Sequence, residues 1–210
     1  DYEFADLIDQ QDKVRLLIDP TSTYAQAAAY AMGRAMDDVI IAAATGTAYT
    51  GETGTGTESA QTAIAASVGS TTGLNIPKLA KAKEKFDLAS VDPSIPRHII
   101  VSPEQINNLL NVTEVTSSDF NTVKALVQGE IDTFLGFKFT VSNRLAKSGN
   151  DRTCIAFAQD GITLGIGKDV SARIDERADK SYATQVYYCM SIGATRMEQA
   201  KVIGITCTEA

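Results

Sequence analysis

The sequence predicts an α+β protein, and three observations carry that expectation. Residues 21–44, TSTYAQAAAYAMGRAMDDVIIAAA, place apolar side chains at Ala25, Ala28, Ala29, Met32, Met36, Val39, Ile40 and Ala43. These steps of three and four form one face of a long helix. Residues 93–145 alternate between strand-like and helix-like segments. From Thr153 to Cys207 the pattern is mostly of strands, long enough to form an antiparallel layer on which the helix can pack.

Taken in order, Val14, Leu16 and Ile18 alternate with Lys13 and Arg15, which predicts a short strand or extended arm; the preceding DLIDQQDK reads as a short helix. The long helix follows. Asp19-Pro20, or Thr23 with Gln26, supplies its start, and Thr45-Gly46 its left-handed stop. At about 1.5 Å per residue it spans roughly 33 Å, a spine on which other layers can be mounted. Residues 45–73 are rich in Gly, Thr, Ser and Ala and predict a long loop with one short strand near Thr62–Ser67. Their TGETGTGT lacks the Lys-Ser/Thr ending of a phosphate-binding loop and follows a helix, not a strand.

A second helix is expected over Ile76–Ala89, capped by Asn75 with Pro77 in its first turn. Lys78, Lys81 and Lys85 share a face that reads as solvated. His98–Val101 predicts a buried strand, and Ser102-Pro103-Glu104-Gln105 a capping box opening a third helix. A further helix is expected at Asp119–Gln128, then a turn or short strand over Gly129–Leu135, an alternating strand at Phe137–Ser142, and a polar loop at Lys147–Arg152. Gln159-Asp160-Gly161 reads as a hairpin turn between Thr153–Ala158 and Ile162–Ile166. Val170, Ala172 and Ile174 continue the alternation to a charged tip at Asp175–Lys180. Strands over Ala183–Ile192 and Ala200–Cys207 close the chain.

With 210 residues there is ample chain for a core, and a net charge of −7 argues against a protein that binds nucleic acid over its whole surface. The three cysteines, Cys154, Cys189 and Cys207, show no paired spacing for a disulfide framework or zinc site and read as free thiols. No run of about 18 apolar residues predicts a membrane span. The start DYEFADLIDQ does not read as a signal peptide and lacks Met, so a processed or truncated chain is expected.

The inventory for chemistry is poor. The single histidine, His98, heads a buried strand without ligand or nucleophile spacing around it. Asp37 and Asp38 are adjacent, so they point about 100° apart on a helix, and either can pair with Arg34. The mixed signs of Asp175-Glu176-Arg177-Ala178-Asp179-Lys180 suit a solvated tip or an intersubunit salt bridge better than a cation site. No catalytic, cofactor or metal residues are assigned.

Four stretches together resemble the major capsid proteins of tailed bacteriophages, those with the HK97-type fold. They are DKVRLLIDPTSTYAQAAAYAMGRAMDDVIIAAATGT; PRHIIVSPEQINNLL; ALVQGEIDTFLGFKFTVSNRL, with its GEI, LGF and SN in order; and the closing IAFAQDGITLGIG through GATRMEQAKVIGIT. The resemblance covers nearly the whole chain. It implies that residues 1–19 are the remnant of an extended E-loop or arm. Residues 20–92 and 146–210 would form a peripheral domain holding the spine helix, and residues 93–145, with a start reaching back into 74–92, an inserted axial domain. It also implies a structural protein, not an enzyme, that self-assembles as pentamers and hexamers into an icosahedral shell around the phage genome. Scaffolding, portal or decoration proteins and non-specifically held double-stranded DNA are the implied partners; the implied place is the virion, with assembly in the host bacterial cytoplasm. The assembly-interface candidates are Lys13, Arg15, Arg34, Asp37, Asp38, Asp175, Glu176, Arg177, Asp179, Lys180 and Arg196. An encapsulin-like compartment shares the fold and is the alternative, with a small-molecule enzyme behind it. The Lys–Asn crosslink of some family members matches no position here.

Overall fold

The computed structural model describes residues 1–9, 21–69, 73–110 and 133–209. The expected strand or arm at 13–18, the helix at Asp119–Gln128, and Lys13 and Arg15 lie outside them. The described chain runs β1 (Tyr2–Ile8), α1 (Thr21–Thr45), β2 (Ala48–Thr50), β3 (Gly56–Glu58), α2 (Ile76–Leu88), β4 (Arg97–Val101), α3 (Pro103–Leu110), β5 (Thr133–Phe134), β6 (Phe137–Val141), β7 (Lys147–Ser148), β8 (Asp151–Ala158), β9 (Ile162–Arg177), β10 (Ala183–Arg196) and β11 (Val202–Thr208). Two compact units result, one of residues 1–40 and 164–194, the other of residues 41–163 and 195–210. The divisions fall inside α1, β9 and β10.

In the smaller unit three strands form a sheet in the order β1-β10-β9. β1 pairs antiparallel with β10, from Tyr2 opposite Met190 to Ile8 opposite Thr184. The helix expected from DLIDQQDK is therefore corrected over its first residues. Asp6, Leu7 and Ile8 are extended because pairing along β10 satisfies their backbone groups, which a short isolated helix would leave partly open. The buried apolar side chains described here are Ile8, Ala183, Val186 and Met190 on the sheet and Ala28 and Met32 on α1. β9 and β10 are 16 and 14 residues long and are joined by a single turn over Ala178–Lys180, followed by Ser181 and Tyr182 in left-handed conformation.

The larger unit is built on a six-stranded sheet, β11-β8-β4-β6-β5 with β7 beside β8. Only β4 and β6 run parallel; the other pairs are antiparallel. Strands from 93–145 and strands from the C-terminal part thus share one sheet and one core. That core joins Phe86 of α2, Ile99 and Val101 of β4, Leu109 of α3, Phe137 of β6, Ile155 of β8 and Ile203 and Ile205 of β11. The last turn of α1 contributes Ile41 and Ala44 to it. The expected face of α1 therefore shifts by one residue near its end: Ile41 and Ala44 are buried, while Ile40 and Ala43 are half-buried and Ala29 is exposed.

Several local expectations are met. α2 starts where predicted, with the Asn75 side chain accepting from Lys78 N at 3.0 Å. Others change. Gly46 ends α1 without a left-handed turn; its N–H donates to Ala42 O at 2.8 Å, and a Cβ there would sit 2.8 Å from the same oxygen. The loop at 45–73 contains the β2–β3 hairpin, closed by Gly51 and Gly54 at positive φ. Its expected strand near 62–67 reduces to Ile64, which bridges Ile205. Gln159-Asp160-Gly161 is a turn, but it joins no hairpin, since β8 belongs to one sheet and β9 to the other.

Candidate assembly surfaces

The charged tip stands at the end of the two longest strands. Asp175, Glu176, Arg177, Asp179 and Lys180 are all exposed. Arg177 grips Asp179 bidentately, Nε to Oδ1 at 2.8 Å and Nη2 to Oδ2 at 2.5 Å, and reaches Gln185 Oε1 at 3.4 Å. This hydrogen bonding, ahead of the charge attraction, raises the Arg177 pKa and lowers that of Asp179. Asp175, Glu176 and Lys180 are exposed beside this pair. On α1, Arg34 and Asp37 are exposed and Asp38 is half-buried, so the helix presents charge beside the exposed Tyr30.

Arg196 is different. It is 3% exposed. Its guanidinium donates to Ala44 O at 3.1 Å, Gly46 O at 2.9 Å and Glu58 O at 2.8 Å. It closes the C-terminal end of α1, whose own last turn carries no basic residue, and places a cation at the negative end of the helix dipole. Where the sequence suggested an interface position, three carbonyls of its own chain and burial take up this side chain.

A second buried ionic site was not legible in the sequence. Glu209, 2% exposed, accepts from Ser102 Oγ at 2.8 Å and Gln105 Nε2 at 3.4 Å, and pairs with Arg152 Nε at 2.7 Å and Lys147 Nζ at 3.0 Å. Burial alone would raise its pKa. The hydrogen bonds from Ser102, Lys147, Arg152 and Gln105 outweigh burial and hold it at about 2. The capping box expected at α3 does not form as read, because Ser102 turns to Glu209 and Gln105 Oε1 accepts from Leu74 N at 2.7 Å.

Lys78 also departs from expectation. It is fully buried, with Nζ donating to Gly73 O at 2.9 Å, and burial lowers its pKa. Lys81 and Lys85 do sit at the surface, paired with Glu84 and Thr62 O respectively. His98 stacks on Phe157 with ring centroids 5.6 Å apart, and burial and then Lys138 lower its pKa. The three cysteines are free. Among the described residues no three His, Cys, Asp or Glu side chains come together as a metal site, and no helix is long and apolar enough to cross a membrane.

Comparison with known proteins agrees with this architecture. Residues 1–209 match the phage capsid protein family. Among solved structures, one from Mycobacterium phage Che8 is 21% identical with a TM-score of 0.67, covering 97% of this chain and 69% of that one. The capsid of cyanophage P-SCSP1u is 17% identical with a TM-score of 0.73, covering 100% and 72%. The capsid of Ralstonia phage GP4 is 10% identical with a TM-score of 0.75, covering 100% and 73%. No curated protein sequence matches the chain. The α+β capsid-type fold expected from the sequence is the fold these structures share.

Proposed function

The chain belongs to the phage capsid protein family, and from that premise we propose how it builds a shell: copies join as pentamers and hexamers and tile a closed icosahedral container around double-stranded DNA. It is a structural shell protein of the virion. The observation that carries this is the family match over residues 1–209. The match favours the viral shell over an encapsulin-like compartment.

The geometry supports a role made of edges. Shells grow through repeated heterologous contacts whose rotations close. Such contacts need exposed features, and the charged tip at Asp175–Lys180 and the charged stripe Arg34–Asp37 on α1 are of this kind. The unit holding the long strands would take the peripheral part and the six-stranded unit the axial part. Catalysis has no place in this reading. With a net charge of −7, contact with DNA would be local and non-specific. Assembly in the host cytoplasm, with scaffolding, portal or decoration proteins, completes the proposal.

The test is electron microscopy with light scattering on the full-length chain from infected cells. Uniform shells filled with DNA are expected. Shells that copurify with an enzyme cargo, or a monomer with turnover, would overturn the reading.

A further inference from the structure

The sheet of the smaller unit brings two nucleophiles together on adjacent strands. Lys168 of β9 places its Nζ 3.0 Å from Sγ of Cys189 on β10. Ser171 Oγ lies 3.0 Å from the same sulfur. Met190, the next residue, is 2% exposed and belongs to the buried side of the sheet. Successive strand residues point to opposite faces, so Cys189 turns the other way, opposite Glu3 of β1, and is half-buried. Cys154 and Cys207 differ: both are fully buried in the larger unit.

The thiolate, not the thiol, is the reactive form of cysteine, and a neighbouring cation favours it. Hydrogen bonding from Lys168, then from Ser171, lowers the Cys189 pKa against the opposing effect of burial. Partial exposure admits a small oxidant, and an accessible thiolate oxidises to a sulfenic acid. A sulfenic acid condenses with a nitrogen nucleophile beside it. The Lys168 nitrogen stands within the roughly 3–3.5 Å of a near-attack arrangement, so the strands need not move for the two atoms to meet.

We propose that Lys168 and Cys189 form an oxidative crosslink, a sulfenamide bond from Nζ to Sγ that fastens β9 to β10. The oxidant is a peroxide. The Cys189 thiolate attacks one oxygen of hydrogen peroxide, the O–O bond breaks, and the departing hydroxide takes a proton to leave as water. Cys189 is then a sulfenic acid, oxidised by two electrons, and the peroxide is reduced by two. The Lys168 ammonium gives a proton to solvent. Its free amine attacks the sulfur, the N–S bond forms, the S–OH bond breaks, and the hydroxyl leaves with an amine proton as a second water. The step needs one chain and one peroxide, so it stands or falls apart from the shell reading.

The test treats the full-length chain with dilute hydrogen peroxide in mildly alkaline buffer and maps its peptides by mass spectrometry. A linked species joining the peptides of Lys168 and Cys189 is expected, lighter than their sum by two hydrogens. It should return to the separate peptides on treatment with excess thiol. Lys168→Arg keeps the cation beside the sulfur and removes the amine, so the linked species should vanish while Cys189 still oxidises. Cys154 and Cys207 should stay unmodified in the same digest. Cys189 driven to sulfinic acid with Lys168 unlinked overturns the proposal. So does a linked species that persists in Lys168→Arg, or one that retains an oxygen between the two residues.

Discussion

Replacing Arg196 by Ala tests whether this side chain works inside the chain or between chains. Removing it strips donors from Ala44 O, Gly46 O and Glu58 O. Hydrogen bonds to a charged group contribute about 1.5–3 kcal/mol each and do not add fully, so the loss expected is about 3–5 kcal/mol. That is a large part of the roughly 5–15 kcal/mol of a typical domain. The assay is urea unfolding of the unassembled chain followed by circular dichroism. With a slope of about 3 kcal/mol per molar, the midpoint should fall by about 1–1.7 M. Arg196→Lys should recover only part, because a single ammonium cannot reproduce the planar fork toward three carbonyls. A loss below about 1 kcal/mol for Arg196→Ala would refute the clamp. So would a normal melt of the unassembled chain combined with failed shells, which is the signature of an interface residue.

Acid should release the C-terminal segment. Glu209 is held at about 2 against its ordinary 4.5, so its stabilisation, about 3 kcal/mol, is complete above pH 4.5 and is lost as pH falls toward 2. Glu209→Gln should flatten the stability profile across that window, and an unchanged slope counts against the buried site. Glycine substitutions should split by position. Gly33→Ala meets nothing within 4 Å and should stabilise the unassembled chain by about 0.5–1 kcal/mol through helix propensity, whereas Gly46→Ala, with Ala42 O at 2.8 Å, should destabilise it; equal thermal midpoints would contradict the packing described. Arg177→Ala should leave the unfolding midpoint where it is, because the Arg177–Asp179 pair is exposed, while lowering particle yield in light scattering; a shifted midpoint would show the tip to be structural.

What the sequence made legible follows from how local the cause is. α1, the Asn75 start of α2 and the alternating strand Phe137–Val141 depend on residues a few positions apart, and all were expected near their observed bounds. The misses share a different physics. β1 is a strand because β10, some 180 residues later, supplies its partners. Ser102 and Gln105 abandon the capping box because Glu209, 107 and 104 residues away, offers a buried carboxylate. Lys78 has the sequence character of a surface lysine, yet Gly73 O gives its ammonium an acceptor inside. The β2–β3 hairpin carries no apolar alternation; Gly51 and Gly54 make the turn, and in so Gly-rich a stretch they do not stand out.

The same distinction sorts the candidate residues. A charge type alone does not say whether a side chain serves the fold or a neighbour; its partners do. Arg196, Lys78 and Glu209 each meet acceptors or donors of their own chain while buried, so changing them would damage every copy before any shell formed. Arg34, Asp37, Asp175, Glu176 and Lys180 are exposed, and single surface charges contribute little to stability. In a protein whose function is repeated contact, those are the positions where sequence can vary the contact while leaving the fold intact. A substitution there that abolishes shells while leaving the unassembled chain's melt unchanged therefore locates an interface, whereas at Arg196, buried and held by three carbonyls of its own chain, a lowered melt is the expected result.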